Sequence, residues 1–190
     1  MQLFGEKGFN STSVADVLQH ARVNSGSLYH FFPTKQDLLI AVLETCRDTI
    51  EDMLLKRAWA GVGDPIERVF AVLAAYRSFL EMTECTYGCL IGSLALELHE
   101  PDPPVRRLMA ENFDGWVRHV CTCFEAAGDR LPSEVDRGAL ATATLTIMEG
   151  GVMQARTFRT LGAFDASVGL LRDYIARLEN EQSIAKGGRQ

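Results

Sequence analysis

A short run of hydrogen-bonding side chains carries the clearest chemical signal in this sequence. On a helical wheel, Gly26 and His30 share one side of a two-turn helix, and Ser27 and Tyr29 lie beside them. Hydroxyl and imidazole groups placed this way can reach base edges or phosphates, and small residues at the helix start allow close approach to a major groove. The pattern is typical of a helix that reads double-stranded DNA.

A cation follows this helix at the start of the next one. Thr34 and Asp37 have the Ser/Thr-x-x-acid spacing that caps a helix, so Lys35 falls in the first turn. A phosphate at that place would meet an ammonium group and free backbone amides together. Lys35 is therefore the best candidate for a phosphate contact.

Two short helices separated by a tight turn must position these groups. Ser13 can cap the first helix, with Asp16 bonding back toward the cap, and Asn24 can cap the second. Pro33 ends the second helix because its ring removes a donor and disfavours helical geometry before it. The apolar residues expected to face inward are Val14, Val17, Leu18 and Ala21 on the first helix, and Leu28, Phe31 and Phe32 on the second.

The run from Thr12 to Leu39 resembles the helix-turn-helix of TetR-type transcriptional regulators. The resemblance rests on Gly26-Ser27-Leu28-Tyr29-His30-Phe31-Phe32-Pro33-Thr34-Lys35, followed by Leu38. It implies an all-α homodimer with an N-terminal DNA-binding domain and a C-terminal helical domain for ligand binding and dimerisation. The residues expected to contact DNA are Thr12, Ser13, Arg22, Asn24, Ser25, Gly26, Ser27, Tyr29, His30 and Lys35.

The sequence departs from the family pattern at two places. Arg22 stands where the family usually has glycine in the turn, and a left-handed conformation costs a residue with a side chain roughly 1 kcal/mol. Either the turn is slightly rebuilt, or a contact from Arg22 to a phosphate offsets that cost. The second departure is the first helix, since only residues 1–7 precede Gly8.

The charge of the chain gives no overall basic signature. The 190 residues carry a formal net charge of -6, and residues 1–40 contain three Lys or Arg against three Asp or Glu. DNA binding must then depend on where the charges lie, and we expect strong salt sensitivity and weak nonspecific affinity. The alternative for these first residues is a small helical packing unit.

Helical periodicity and helix-breaking residues divide the chain into a head, a body and a tail. We predict a DNA-binding domain at residues 1–47, a ligand-binding and dimerisation domain at 48–180 and a disordered tail at 181–190. After the recognition helix, the predicted helices are Lys35 to Ala60, Asp64 to Thr83, Thr86 to His99, Val105 to Ala127, Arg137 to Arg159, and a final helix capped by Asp165.

The body contains aromatic and Met residues from which a ligand cavity could be built. The resemblance implies such a cavity, although aromatic and Met residues at helical spacing more often form core packing. We expect a small hydrophobic or aromatic effector, with Tyr76, His119 and Thr144 as polar contacts. The candidate ligand-binding residues are Phe70, Tyr76, Phe79, Met82, Phe113, Trp116, His119, Thr144 and Met148.

The last two predicted helices have stripes suited to a dimer interface. Small residues on the first would let another helix approach closely, and the second has near-heptad 3,4,3 spacing. The alternative is that both stripes are buried within one subunit. The candidate interface residues are Leu140, Ile147, Gly151, Val168, Leu171, Ile175 and Leu178.

Other classes of protein find little support. No apolar run is long enough to span a membrane and no export signal is visible, so we expect a cytoplasmic protein. The five cysteines are best explained as buried hydrophobes, although a redox pair of Cys85 and Cys89 or a site of His119 and Cys123 stays open. No metal or cofactor is predicted.

An enzyme using Glu97, His99 or Glu149 lacks the necessary motif spacing. The sequence therefore favours a ligand-responsive, sequence-specific transcriptional regulator, a repressor released from a palindromic operator by its effector. The alternative function is a helical protein that sequesters a ligand or partner and binds DNA weakly or not at all.

Overall fold

The computed structural model describes residues 1–187, which form helices joined by turns, with no β-strand in that range. The all-α prediction is confirmed. Within the same residues, no helix is long and apolar enough to cross a membrane. The helices are α1 Gln2–Lys7, α2 Val14–Ala21, α3 Ser25–Phe31, α4 Lys35–Ile50, α5 Lys56–Ala58, α6 Pro65–Met82, α7 Leu90–Glu97, α8 Pro103–Ala126, α9 Arg137–Phe158 and α10 Gly162–Gly187.

The chain divides into two compact units. The first combines residues 1–50 with residues 89–113, and the second combines residues 51–88 with the chain from residue 114 onward. The first unit therefore holds the predicted DNA-binding helices together with α7 and the start of α8. The assignment of DNA binding to residues 1–47, and of ligand binding and dimerisation to residues 48–180, stays a prediction.

The first unit has its own hydrophobic core. Apolar residues of α4 at helical spacing, Leu39 and Leu43 among them, pack with Phe4 of α1 and Leu94 of α7. The buried amide of Asn112 donates hydrogen bonds to the carbonyls of Leu43 (3.0 Å) and Leu108 (2.8 Å). Since a buried polar group without partners would destabilise the core, these bonds let α8 cross α4 closely.

The long helix predicted from Lys35 to Ala60 is interrupted by a π-helical turn. This turn covers Glu51–Leu55, after which α5 ends at Ala58. A π-helical turn accommodates an extra residue within a helix, and apolar periodicity does not reveal where that happens. The prediction was right about the helical content of this segment and wrong about its uninterrupted geometry.

In the second unit, α6 and α9 follow their predicted bounds closely. Asp64 caps α6, its carboxylate accepting from the amides of Ile66 and Glu67 at 2.9 Å, and Pro65 is the first helical residue. Helix α7 is shorter than predicted and begins only at Leu90, because the chain at Cys89 is extended, with φ at -65° and ψ at 125°. The chain further upstream turns at Glu84 and Cys85, which have positive φ values of 49° and 54°. These caps and turns define where the long helices can begin.

The last helix differs from its prediction at both ends. It begins at Gly162, so Asp165 lies inside it and forms an ion pair with Arg77 at 2.8 Å instead of capping it. It also continues to Gly187, where Lys186 pairs with Asp129 at 2.5 Å. The disordered tail was therefore wrong for residues 181–187, and residues 188–190 lie outside the described residues.

The residues predicted for a dimer interface are instead packed within one chain. Gly151 is buried, and a Cβ there would lie 3.0 Å from Cδ2 of Phe164 and 3.2 Å from its Cα. The close helix approach predicted at Gly151 does occur, but between α9 and α10 of the same subunit. Leu140, Leu171, Ile175 and Leu178 are likewise buried in the single chain, and Ile147 and Val168 are half-buried.

The opposite side of α9 is exposed and carries threonines. Thr142, Thr146 and Thr157 each donate the side-chain hydroxyl to the backbone carbonyl four residues earlier, at 2.9 to 3.0 Å. A helix can accept these bonds without breaking because the carbonyl has a second lone pair. The hydroxyls are thus oriented along the helix.

Candidate DNA-binding site

Helix α2, the first helix of the candidate helix-turn-helix, begins with a complete capping box. The Ser13 hydroxyl accepts from the Asp16 amide at 3.1 Å, and the Asp16 carboxylate accepts from the Ser13 amide at 2.8 Å. Hydrogen bonds from the Ser13 hydroxyl, then from its backbone, lower the pKa of Asp16 to about 2. The cap predicted at Ser13 is confirmed, and its hydroxyl is engaged within the helix.

The turn between α2 and α3 is made by Arg22 in the left-handed conformation, with φ at 56° and ψ at 39°. Its amide donates to the Gln19 carbonyl at 3.3 Å, which closes the end of α2. The turn therefore keeps the geometry that the family usually builds with glycine, and the Arg22 side chain is exposed.

Helix α3 presents its polar residues to solvent. Asn24 caps it by accepting from the Ser27 amide at 2.8 Å, and Phe32 ends it before Pro33, as predicted. The exposed side carries the candidate contact residues Ser25, Gly26, Ser27, Tyr29 and His30. The structure thus brings them together on one open surface, and their contact with DNA stays a prediction.

Phe31 was expected to face inward and does not. Its side chain is 72% exposed, and its ring packs edge-on against His30 with 4.9 Å between ring centroids. The helix has fewer than two full turns after its cap, so a small rotation places Phe31 beside the polar side. Sequence periodicity in so short a helix could not fix this orientation.

Thr12 was also predicted wrongly as a DNA contact. It is fully buried, and its hydroxyl donates to the Gly8 carbonyl at 2.6 Å and to the Leu3 carbonyl at 3.3 Å. A side chain with no exposed surface cannot reach a phosphate in this conformation. Thr12 instead fixes the loop between α1 and α2.

Lys35 lies where predicted, in the first turn of α4. Thr34 and Asp37 form the expected capping box, with the Asp37 carboxylate accepting from the Thr34 amide at 2.9 Å. The structure adds a contact that the sequence did not reveal, since the Lys35 ammonium lies 4.2 Å from the centroid of the Phe9 ring. No local spacing signals a contact between residues 26 positions apart.

The candidate ligand-binding residues differ in how deeply they are buried and in the unit to which they belong. Trp116, Thr144 and Met148 are buried in the second unit, and the Thr144 hydroxyl donates to the Leu140 carbonyl at 2.8 Å. Phe70 is buried with the Arg172 guanidinium 3.7 Å from its ring centroid.

Three of the candidates in the second unit, His119, Tyr76 and Trp116, have polar groups that could contact a ligand. His119 packs edge-on against Trp59 at 6.3 Å between ring centroids, and Tyr76 is half-buried. Among the described residues, nothing accepts a hydrogen bond from the buried indole nitrogen of Trp116. Such an unsatisfied donor destabilises a core unless a ligand or water meets it.

Three other candidates are not buried in the second unit. Met82 is 76% exposed and Phe79 is exposed at the same end of α6, so neither is enclosed. Phe113 packs against the core of the first unit. These assignments were wrong because helical spacing identifies an apolar position without telling which neighbour covers it.

The cysteines form neither disulfides nor a metal-ligating cluster within the described residues. None of the five forms a disulfide, and the chain up to residue 187 has no cluster of three or more His, Cys, Asp or Glu side chains that could hold an ion. Burial raises the pKa of the Cys123 thiol, which favours its protonated form. His119 and Cys123 are therefore better explained as packing residues.

Two capped helices joined by a tight turn, the second with an exposed polar surface, make up a helix-turn-helix DNA-binding unit. Comparison with known families agrees. Residues 1–42 match the family described as bacterial regulatory proteins, tetR family, and residues 65–178 match the tetracyclin repressor-like C-terminal domain. The chain belongs to the TetR family, whose members are DNA-binding transcriptional regulators and not enzymes.

Individual relatives support the same assignment. The chain is 32% identical over 161 residues to the transcriptional regulator AcuR of Cereibacter sphaeroides, covering 80% of this chain and 70% of AcuR. A regulatory protein TetR from Rhodobacter sphaeroides superposes with a TM-score of 0.80 at 26% identity, over 90% of this chain and 91% of that one. CifR, solved with double-strand operator DNA, shares the fold with a TM-score of 0.70 at 22% identity, over 90% of each chain.

Proposed function

We propose that this protein is a ligand-responsive repressor that binds a palindromic operator as a homodimer. The exposed polar side of α3, fixed between the Asn24 cap and Pro33, is the observation that carries the proposal. In a two-fold dimer, two such helices about 34 to 36 Å apart would enter successive major grooves on one face of the duplex. The complex of the similar protein CifR with operator DNA supports this use of the fold. We expect the protein to act in the cytoplasm.

An exposed apolar stripe on α10 is the surface we propose for the dimer. Leu170 is 72% exposed, Tyr174 lies one turn later on the same side of the helix, and Ile184 is 75% exposed further along that side, beyond the charged and exposed Arg177 and Glu181. Exposed apolar side chains on one helix face favour burial against a partner, and a second copy supplies the same face across a two-fold axis. This stripe replaces the buried residues that the sequence suggested.

Light scattering on size-exclusion fractions tests the dimer directly. Leu170→Glu places a charge in the stripe, and we expect it to shift the protein from dimer to monomer. Leu96→Glu is a matched control, because Leu96 is a similarly exposed leucine on α7 of the first unit. A dimer that survives Leu170→Glu unchanged would rule out this stripe as the interface.

The effector we propose is hydrophobic or aromatic and carries a hydrogen-bond acceptor. The buried indole N–H of Trp116 supports the acceptor, because a ligand oxygen or nitrogen would satisfy it. Binding in the second unit would displace the chain that runs from Lys35 to Ala58 and so change the spacing of the two recognition helices. Since an effector acts only through its different affinity for the two dimer states, operator binding must change effector affinity reciprocally.

Selection from random duplexes tests the function as a whole. The purified protein is mixed with a pool of random duplexes at moderate salt with competitor DNA, and the retained duplexes are sequenced. We expect an enriched inverted repeat, with Tyr29→Ala and Lys35→Ala weakening binding to it in gel-shift titrations while the variants stay folded. No enrichment, together with retained small-molecule binding, would favour the sequestering function instead.

A further inference from the structure

The carboxylate of Glu97 binds the loop that leads into the helix-turn-helix. Glu97 is the last residue of α7, and its Oε2 accepts from the Phe9 amide at 2.8 Å while its Oε1 accepts from the Asn10 amide at 2.6 Å. Hydrogen bonds to a charged acceptor are shorter and about twice as strong as neutral ones. One side chain of α7 thus holds two consecutive backbone amides that lie 87 and 88 positions away in sequence.

The loop is shaped around this carboxylate. Gly8 has a φ of 81°, and a Cβ added there would lie 2.7 Å and 3.0 Å from the two carboxylate oxygens of Glu97. Any side chain at position 8 would therefore displace the carboxylate as well as strain the backbone. Only glycine lets Glu97 reach both amides.

Phe9, whose amide Glu97 binds, also contacts Lys35, the candidate phosphate-binding residue. The ring of Phe9 packs edge-on against the buried Phe4, with 5.4 Å between centroids, and the Lys35 ammonium lies over it at 4.2 Å. The ring attracts the cation through its negative face and so restricts a side chain that is otherwise free to rotate. Because an ammonium has three N–H donors, it can stay over the ring and still donate to a phosphate.

We propose that Glu97 is a positioning residue for DNA binding, which acts through the Phe9 ring on the Lys35 ammonium. Glu97 itself contacts no DNA; it fixes the backbone of Phe9, and Phe9 fixes where the cation is presented. The proposal rests on the DNA-binding role of Lys35 described above. Every contact in it lies within the first compact unit.

A double-mutant cycle on the full-length protein tests the proposal. Binding of wild type, Glu97→Ala, Lys35→Ala and the double variant to one duplex is titrated at several salt concentrations. Lys35→Ala removes one phosphate contact per subunit, which should lower the slope of log affinity against log salt by about 0.9 per subunit. We expect Glu97→Ala to lower affinity at low salt by about threefold to tenfold and to reduce the slope in the same direction.

The double variant shows whether Glu97 affects DNA binding through Lys35 or independently of it. If Glu97 acts through Lys35, the double variant binds no more weakly than Lys35→Ala alone. Fully additive losses, or a Glu97→Ala variant with the affinity and slope of wild type, would overturn the proposal. A wild type that binds no duplex would instead count against the proposed function, so the two failures are distinguishable.

Two further variants guard against a simple loss of folding. Phe9→Leu keeps an apolar side chain but lacks the ring, and we expect it to reduce the salt slope as Glu97→Ala does. An unchanged slope would contradict an action of Glu97 on Lys35 through the Phe9 ring. Glu97→Gln retains one acceptor and should give intermediate affinity. Glu100→Ala, at an exposed carboxylate three residues later, is the control and should bind as wild type does.

Discussion

The buried glycine of α9 allows a prediction whose magnitude follows from the contact around it. Replacing a glycine inside a helix with alanine stabilises the helix by about 1 kcal/mol, because the unfolded chain loses freedom. At Gly151 the new Cβ would lie 3.0 to 3.2 Å from side-chain and backbone atoms of Phe164. Overpacking of this kind costs about 1 to 3 kcal/mol, since the backbone of α10 must move.

Gly115 gives a matched control for this substitution. It lies inside α8, where the nearest atom that a Cβ would meet is a terminal nitrogen of Arg118 at 3.9 Å. Gly115→Ala should therefore gain the helix stabilisation alone. The free energy of unfolding of Gly151→Ala should fall below that of Gly115→Ala by about 1 to 3 kcal/mol, which is the overpacking cost.

Thermal unfolding at one fixed protein concentration measures this difference. For a chain of this size each kcal/mol shifts the melting temperature by about 2 to 4 °C, so the two variants should melt at least about 2 °C apart. The concentration must be fixed because dimer formation stabilises the folded state by mass action. Equal melting temperatures would refute the close α9 to α10 packing.

Three further outcomes follow from the recognition unit. The pKa of Asp16 is lowered from 3.8 to about 2. Its contribution to the free energy of unfolding is therefore present above about pH 4 and is lost as the pH falls toward about 2. The stability gap between wild type and Asp16→Asn should close over that range in acid unfolding curves, and a constant gap would contradict it. Arg22→Gly should raise the unfolding free energy by about 1 kcal/mol yet weaken duplex binding at low salt; unchanged binding would exclude a phosphate contact. Phe31→Ala should change stability by less than about 0.5 kcal/mol and, because the Phe31 ring packs against the candidate contact residue His30, reduce operator affinity in gel shifts; a large loss of stability would contradict its exposure.

The sequence predicted what depends on local chemistry. The capping boxes at Ser13 and Thr34, the cap at Asn24 and the end of α3 before Pro33 each involve residues within a few positions of one another. Such features are set by hydrogen bonds that form whenever the helix forms. The all-α fold and the helix-turn-helix were therefore within reach of the sequence.

Long-range contacts were beyond it. Periodicity identified Leu171 and Ile175 as an apolar stripe but could not say that the stripe is buried within the same chain, with Leu170 left exposed. The bonds from Glu97 to the loop at Phe9 have no local signal at all. Which face of a helix meets which partner depends on the packing of the whole chain.

The threonines on the open side of α9 affect what it would cost to cover that surface. Removing a hydroxyl from water is expensive when it leaves the group without a hydrogen-bond partner. Thr142, Thr146 and Thr157 already donate to carbonyls of their own helix. A second molecule could therefore cover this face without having to supply acceptors for those hydroxyls.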